Sequence, residues 1–267
     1  MDDRTGQDRP DKLETSLLLA LDFDGVVCNG LAEYFQTAWK AYCQIVDLSH
    51  RTPPDDLAPS FYRLRPVIET GWEMPVLLHA RLHGVGEGEI LENWHDICQK
   101  FVQREGWSAA RLAEAVDGTR DLWIDRDLEG WLTLHEFYPG TIDRLRRWQS
   151  DGISWVVITT KEGRFVRSLL QREGITLSEG QLFGKEVKRP KHQILRELGA
   201  ARRPVVFVED RLKTLESVAS QPDLTSVRLY LADWGYNTES MRQTAREIDR
   251  IQLLSLPQFC EDLSNWS

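Results

Sequence analysis

The sequence has few cysteines, no long apolar run and no excess of basic residues. The four cysteines among its 267 residues form no C-x-x-C pair, which argues against a disulfide framework or a zinc site and predicts reduced thiols inside a cell. Acidic residues outnumber basic ones, 42 to 33. We therefore expect no general attraction to nucleic acid or to anionic membranes.

Segments for targeting or membrane insertion are equally scarce. No segment has the roughly 20 apolar residues that a bilayer-spanning helix needs. Residues 1–16 are polar, mixed in charge and without a signal-like apolar region. We expect a flexible tail there and a cytoplasmic protein with no membrane partner. The rest of the chain is long enough for one large domain or for a core with an insert.

The chain is organised around residues 17–30, which read LLLALDFDGVVCNG. The apolar run at the start predicts a buried parallel strand. Asp22 and Asp24 follow at its carboxyl end, where α/β sheets bind their ligands. Side chains alternate along an extended chain, so the two carboxylates can point the same way. Two close carboxylates need a cation or a proton between them, and Mg²⁺ prefers oxygen ligands of this kind.

After residue 137 the sequence alternates between apolar runs and helical patterns. Alternating strands and helices predict an α/β fold with a Rossmann-like, three-layer core built on a parallel sheet. We assign residues 17–30 and 137–267 to this core. The predicted strands cover 153–158, 181–183, 204–208 and 227–231, and the last helix covers 238–250.

Between the two parts of the core lies a segment with helical periodicity and no strand-like run. We assign residues 31–136 to an inserted, all-helical domain. Three prolines mark a loop over residues 50–60. The predicted helices of the insert cover 31–46, 61–70, 73–83, 87–104 and 108–125.

Polar residues follow the predicted core strands in an order that resembles the haloacid dehalogenase-like (HAD) superfamily. Residues 17–30 resemble its first motif, a hydrophobic strand followed by D-x-D-G-[TV]. Thr159, in T-T-K where many relatives have T-N-K, resembles the second, and Glu209-Asp210 resembles the acidic fourth motif. The insert resembles in position the C1 helical cap of phosphoglycolate phosphatase and β-phosphoglucomutase-like relatives.

The resemblance implies a role for each of these residues. Asp22 is implied to be the nucleophile that forms an aspartyl-phosphate. Asp24 is implied to be the general acid and base, and its backbone carbonyl to help hold Mg²⁺. Thr159 would hydrogen-bond a phosphoryl oxygen. Asp210 would ligate Mg²⁺, and Glu209 would either ligate the ion or assist a ligand.

The third motif of the superfamily supplies a lysine, and three lysines compete for this role. Lys191 opens a predicted helix ahead of an apolar pair, whereas Lys188 fits relatives whose lysine lies several residues before that pair. We favour Lys191 and expect Lys185 to be solvated.

These motifs together predict a Mg²⁺-dependent phosphatase that acts on a small phosphorylated metabolite. Two alternatives remain open at this stage. A sugar phosphomutase would use the same residues and return the phosphoryl group to the substrate. A HAD-like binding or regulatory module would have lost turnover, although no motif residue is plainly missing.

Overall fold

The computed structural model describes residues 17–48 and 52–266 of the chain. They form two compact units. The first contains residues 17–28 and 137–266, and the second contains the described residues within 29–136. The tail predicted over residues 1–16 and the start of the loop predicted over 50–60 lie outside the described residues.

The first unit is built on a six-stranded sheet in which every pair of neighbouring strands is parallel. The strands of this sheet are β1 (Leu18–Leu21), β4 (Ser154–Ile158), β5 (Leu182–Phe183), β6 (Val205–Glu209), β7 (Arg228–Ala232) and β8 (Ile251–Leu254). The strand order is β5-β4-β1-β6-β7-β8, which places β1 near the centre. Two short strands, β2 (Cys28–Asn29) and β3 (Glu136–Phe137), form a separate two-stranded sheet.

Helices flank the parallel sheet, which confirms the predicted α/β class with a Rossmann-like core. Apolar residues of β1, β4, β6 and β7 pack against these helices in one buried cluster that includes Phe207, Leu195 and Leu215. The helices of the first unit are α6 (Thr141–Ser150), α7 (Gly163–Arg172), α8 (Lys191–Glu197), α9 (Leu212–Ala219), α10 (Glu239–Arg246) and α11 (Leu256–Cys260).

The described part of the second unit is helical apart from its connections and has its own apolar cluster, which includes Phe61, Leu77 and Trp94. Its helices are α1 (Leu31–Ile45), α2 (Leu57–Leu64), α3 (Glu73–Leu82), α4 (Glu87–Arg104) and α5 (Ala109–Leu132). In the part of the chain that the structure describes, no helix combines the length and the apolar character needed to cross a membrane.

Two helices in the second unit differ from the predictions for local reasons. The helix predicted over 61–70 spans Leu57–Leu64 instead. It begins earlier because Pro59 lies in its first turn, where a missing backbone N–H costs nothing. It ends earlier, ahead of a short 3-10 turn over Arg65–Val67, because the residue before Pro66 is disfavoured in an α-helix. The helix predicted to end at residue 125 continues to Leu132 across a kink at Asp127. The Asp127 carboxylate accepts a hydrogen bond from the backbone N–H of Gly130 (2.8 Å), which caps a second helical segment.

The end of the chain also differs from the prediction. The helix predicted to reach residue 250 ends at Arg246, and Ile251–Leu254 form the edge strand β8. This strand is four residues long, and its pairing with β7 extends the sheet beyond the predicted strands. So short a run carries little periodic signal in the sequence.

Candidate active site

Strand register brings the predicted site residues to one edge of the sheet. Leu21 of β1 lies opposite Val157 of β4 on one side and Val208 of β6 on the other. The residues that follow these positions are therefore neighbours, and the backbone N–H of Asp22 bonds to the carbonyl oxygen of Val208 (2.9 Å). Asp22 thus lies beside Glu209 at the carboxyl ends of the central strands, where α/β folds place their ligands.

Three buried carboxylates form the acidic part of the site. Asp22, Glu209 and Asp210 each offer an oxygen within 4.8 Å of the others, and at most 7% of any of the three residues is exposed. Burial, reinforced by the negative charge of Glu209 and opposed by Lys191, raises the pKa of Asp22 to about 7. Burial together with Glu209 and Asp22 likewise raises the pKa of Asp210 well above its usual value. A cation among these oxygens would relieve the repulsion.

Of the three candidate lysines, the structure brings Lys191 into this cluster. Its Nζ lies 2.8 Å from Oδ1 of Asp22 and 2.7 Å from Oε2 of Glu209. Burial disfavours the charge on Lys191, but the attraction of Asp22 and Glu209 outweighs burial and raises the pKa of Lys191. Lys185 and Lys188 are both exposed.

Both carboxylate oxygens of Glu209 already have partners within the protein. Oε2 bonds to Lys191, and Oε1 accepts the backbone N–H groups of Asp210 (3.2 Å) and Arg211 (3.0 Å). Glu209 therefore fixes both the lysine and the turn that carries Asp210. This arrangement favours assistance to the ligands over direct coordination, the choice that the sequence left open.

Thr159 lies directly beyond β4 and is buried. Its backbone N–H bonds to the carbonyl oxygen of Phe183 (2.9 Å), and its hydroxyl oxygen accepts the backbone N–H of Lys161 (3.1 Å). The hydroxyl proton is not used in that bond, so it is available for an oxygen acceptor.

The Asp24 carboxylate faces a lysine that the sequence reasoning left without a role. Nζ of Lys161 lies 3.2 Å from each carboxylate oxygen of Asp24. The group of three buried acids described above does not include the Asp24 side chain. The available sequence signal was the triplet T-T-K directly after β4, whose last residue is this lysine.

The loop after β7 holds Asp210 from the other side. The backbone N–H of Tyr236 bonds to Oδ2 of Asp210 (2.8 Å), and the side-chain amide of Asn237 donates to the carbonyl oxygens of Asp210 (3.0 Å) and Ala232 (2.8 Å). Asn237 is buried and has no counterpart among the predicted site residues. An asparagine in a polar loop gives no distinctive signal in a single sequence.

Two glycines enclose the Asp210 side chain. A Cβ on Gly25 would lie 2.0 Å from Oδ2 of Asp210, and a Cβ on Gly235 would lie 2.3 Å from Cβ of Asp210 and 2.5 Å from the carbonyl oxygen of Gly25. Gly25 also has a left-handed backbone, with φ of +86°, which other residues rarely adopt. The position of Asp210 thus depends on the absence of side chains at both glycines.

We expect Gly235→Ala to displace Asp210, because the added methyl group meets both the Asp210 side chain and the backbone of Gly25. Such overpacking costs about 1–3 kcal/mol of folding stability, and divalent cation binding, measured by titration calorimetry, should weaken. Gly118→Ala is the matched control, since a Cβ on Gly118 meets nothing within 4 Å. Unchanged cation binding in Gly235→Ala would contradict the enclosure of Asp210.

The fold is of the α/β class, and the ends of its central strands carry a buried group of acids with two lysines beside it. The family model of haloacid dehalogenase-like hydrolases matches residues 17–220. The chain therefore belongs to the haloacid dehalogenase-like hydrolases, as the sequence motifs predicted. A comparison with curated proteins finds no match.

Solved structures with the same fold share little sequence with this chain. A predicted phosphoglycolate phosphatase from Haemophilus somnus has a TM-score of 0.56 at 14% identity, with 92% of this chain and 96% of that chain covered. A predicted phosphatase from Clostridium acetobutylicum has a TM-score of 0.55 at 11% identity, with 92% and 97% covered. A haloacid dehalogenase-like family hydrolase from Streptococcus pneumoniae has a TM-score of 0.54 at 12% identity, with 91% and 94% covered.

Proposed function

We propose that this protein is a Mg²⁺-dependent phosphatase that hydrolyses a small phosphorylated metabolite through an aspartyl-phosphate on Asp22. The observation that carries the proposal is the buried cluster of Asp22, Glu209 and Asp210 with Lys191 bonded to two of its members. A carboxylate nucleophile beside a cation and an acidic metal site suits phosphoryl transfer, which depends mainly on positioning and on charge stabilisation. The phosphatase names of two structural neighbours agree with this substrate class.

The residues present fit Mg²⁺. The donor set consists of carboxylate oxygens, which suit this hard cation, and all three carboxylates are buried and close together. Asp22 and Asp210 would hold the ion through their side chains and Asp24 through its backbone carbonyl, with Glu209 holding the turn that carries Asp210. Bound Mg²⁺ supplies positive charge that offsets the charge of the phosphoryl oxygens.

The chain's own residues supply the nucleophile, the proton transfers and the remaining charge stabilisation. A carboxylate oxygen of Asp22 attacks phosphorus, and the carboxyl group of Asp24 gives its proton to the leaving oxygen. The hydroxyl group of Thr159 donates a hydrogen bond to a phosphoryl oxygen. The ammonium group of Lys191 offsets the negative charge of the phosphoryl group. Asp24 afterwards removes a proton from the water that hydrolyses the aspartyl-phosphate.

The most direct test is an assay of the purified protein with p-nitrophenyl phosphate. We expect turnover with Mg²⁺, loss of turnover with EDTA, and recovery when Mg²⁺ is restored in excess. Release of inorganic phosphate in step with p-nitrophenol would identify water as the final acceptor, rather than a second molecule of substrate as in a phosphomutase. Absence of turnover across a panel of phosphorylated metabolites would favour a binding module instead.

Asp210→Asn should act through the metal. The substitution keeps the size of the side chain but removes one negative charge from the ligand set, so Mg²⁺ affinity should fall by at least ~10-fold, the loss typical even of residues outside the direct ligand set. A Mg²⁺ titration of activity measures this loss, and excess Mg²⁺ should restore part of the rate. An unchanged titration curve would show that Asp210 is not a ligand.

A further inference from the structure

Lys161 is a partly buried residue whose ammonium group is directed at the Asp24 carboxylate. The two residues are 137 positions apart in the sequence, yet the lysine Nζ lies 3.2 Å from both carboxylate oxygens. Only 7% of the lysine side chain and 13% of the Asp24 side chain are exposed. An ion pair that is so well shielded from water restricts the orientation of its carboxylate far more than a surface pair does.

The backbone of Lys161 is fixed on both sides. Its N–H donates to the hydroxyl oxygen of Thr159 (3.1 Å), and its carbonyl oxygen accepts the N–H of Lys185 (2.9 Å). Thr159 is itself anchored to Phe183 through its backbone N–H (2.9 Å). Lys161 therefore extends its ammonium group from a rigid turn at the end of β4.

The backbone of Asp24 is also fixed, but its carboxylate could turn without this lysine. Asp24 forms an isolated β-bridge with Cys28, and the next residue, Gly25, donates its N–H to the carbonyl oxygen of Cys28 (2.8 Å). Each of the two lysines at the site has a different acidic partner nearby. Lys191 pairs with Asp22 and Glu209, and Lys161 pairs with Asp24.

We infer that Lys161 is a positioning residue that holds the Asp24 carboxyl group away from the acidic cluster and towards the leaving oxygen of the substrate. The inference rests on the proposed phosphatase function. A cation held by Asp22 and Asp210 attracts any nearby carboxylate. Lys161 supplies the opposing attraction that keeps the Asp24 carboxylate, as distinct from the Asp24 backbone carbonyl, out of the cation's coordination. An acid or base displaced by about 1 Å can lose ~100-fold in rate.

The step that depends on this position is the transfer of one proton. As the bond forms between an Asp22 oxygen and phosphorus, the bond from phosphorus to the leaving oxygen breaks, and that oxygen takes the proton of the Asp24 carboxyl group. The resulting Asp24 carboxylate is paired with Lys161. In the second step, water attacks phosphorus, the bond to Asp22 breaks, and Asp24 takes a proton from the water.

If Lys161 positions Asp24, the effect of removing Lys161 should depend on the leaving group of the substrate. A purely structural role predicts no such dependence. p-Nitrophenol leaves readily as its anion and needs no proton, whereas unsubstituted phenol and simple alcohols are poor leaving groups without one. The ratio kcat/KM reports the first step, in which the leaving group departs. Loss of Lys161 should therefore lower kcat/KM more as the leaving group becomes poorer.

The experiment compares Lys161→Met with the wild-type protein on p-nitrophenyl phosphate, phenyl phosphate and 4-methoxyphenyl phosphate at saturating Mg²⁺. We expect kcat/KM for phenyl and 4-methoxyphenyl phosphate to fall at least ~10-fold more than kcat/KM for p-nitrophenyl phosphate, a fraction of the ~10²–10⁴-fold that general acid catalysis contributes. Lys161→Arg, which keeps the charge, should recover part of the difference. Lys188→Met, at an exposed lysine, should match the wild type on all three substrates.

An equal loss on all three substrates, or no loss on any, would overturn the positioning role. If Lys161→Met fails to fold, the same comparison with Lys161→Arg and Lys161→Gln decides, because the charged variant should lie closer than the neutral one to the wild-type dependence on the leaving group. Failure of the proposed function would look different. It would appear as wild-type protein without EDTA-sensitive turnover, or as activity that survives Asp22→Asn.

Discussion

Asp22→Asn should reduce turnover by about 10⁴-fold or more while leaving the protein folded. The amide has the size of the carboxylate but lacks the charge that attacks phosphorus, and removal of a nucleophile typically costs this much. Folding should survive because the negative charge of Asp22 is itself unfavourable in the folded protein. Burial and the negative charge of Glu209 raise the pKa of Asp22 to about 7. Phosphate release and circular dichroism measure the two effects.

The chain offers a matched control for this substitution. Asp249 is exposed, so Asp249→Asn makes the same chemical change away from the site and should keep the full wild-type rate. Mass spectrometry of acid-quenched protein should detect a phosphorylated species in the wild type and none in Asp22→Asn. Appreciable turnover by Asp22→Asn would refute the covalent mechanism.

Lys191→Met should impair both activity and stability. The methionine keeps most of the aliphatic stem but removes the ammonium group that lies within 2.8 Å of Asp22 and Glu209. Breaking a buried ion pair by removing one partner costs about 3–5 kcal/mol, because the remaining charges stay buried without compensation. Urea unfolding in the absence of Mg²⁺ measures this loss, and kcat should fall together with it.

Lys188→Met provides the comparison that decides between the two lysines. Lys188 is exposed and ends a short turn with a left-handed backbone, φ 51°, so its side chain should contribute within about 0.5 kcal/mol, as surface positions usually do. A larger loss of activity in Lys188→Met than in Lys191→Met would assign the third motif to Lys188.

Local patterns were sufficient to predict the α/β class and the positions of most core strands. Long apolar runs such as 153–158 end in polar residues, and in a parallel sheet these ends must meet at one edge. That argument placed Asp22 and Asp24 at this edge, and the resemblance to the HAD motifs added Thr159 and the pair at 209–210. Strand register in the structure supports this grouping, because Leu21 lies opposite both Val157 and Val208.

Other features depend on contacts between residues that are distant in the sequence, and no local pattern indicates them. The strand β8 is four residues long, and it is defined as a strand by pairing with β7. The second helical segment of α5 depends on the Asp127 side chain as a cap. A window of sequence contains neither the partner strand nor the geometry of the cap.

The sequence by itself determined which functional groups are available: several carboxylates, a threonine and several lysines, in an order that follows the strands. Tertiary structure decided which charged side chains form ion pairs. It placed Lys191 between Asp22 and Glu209, gave Lys161 to Asp24 and enclosed Asp210 between Gly25 and Gly235. The physical reason is that ion pairing and steric enclosure act over a few ångströms, and the distance between two side chains is set by the packing of the whole sheet rather than by their separation along the chain.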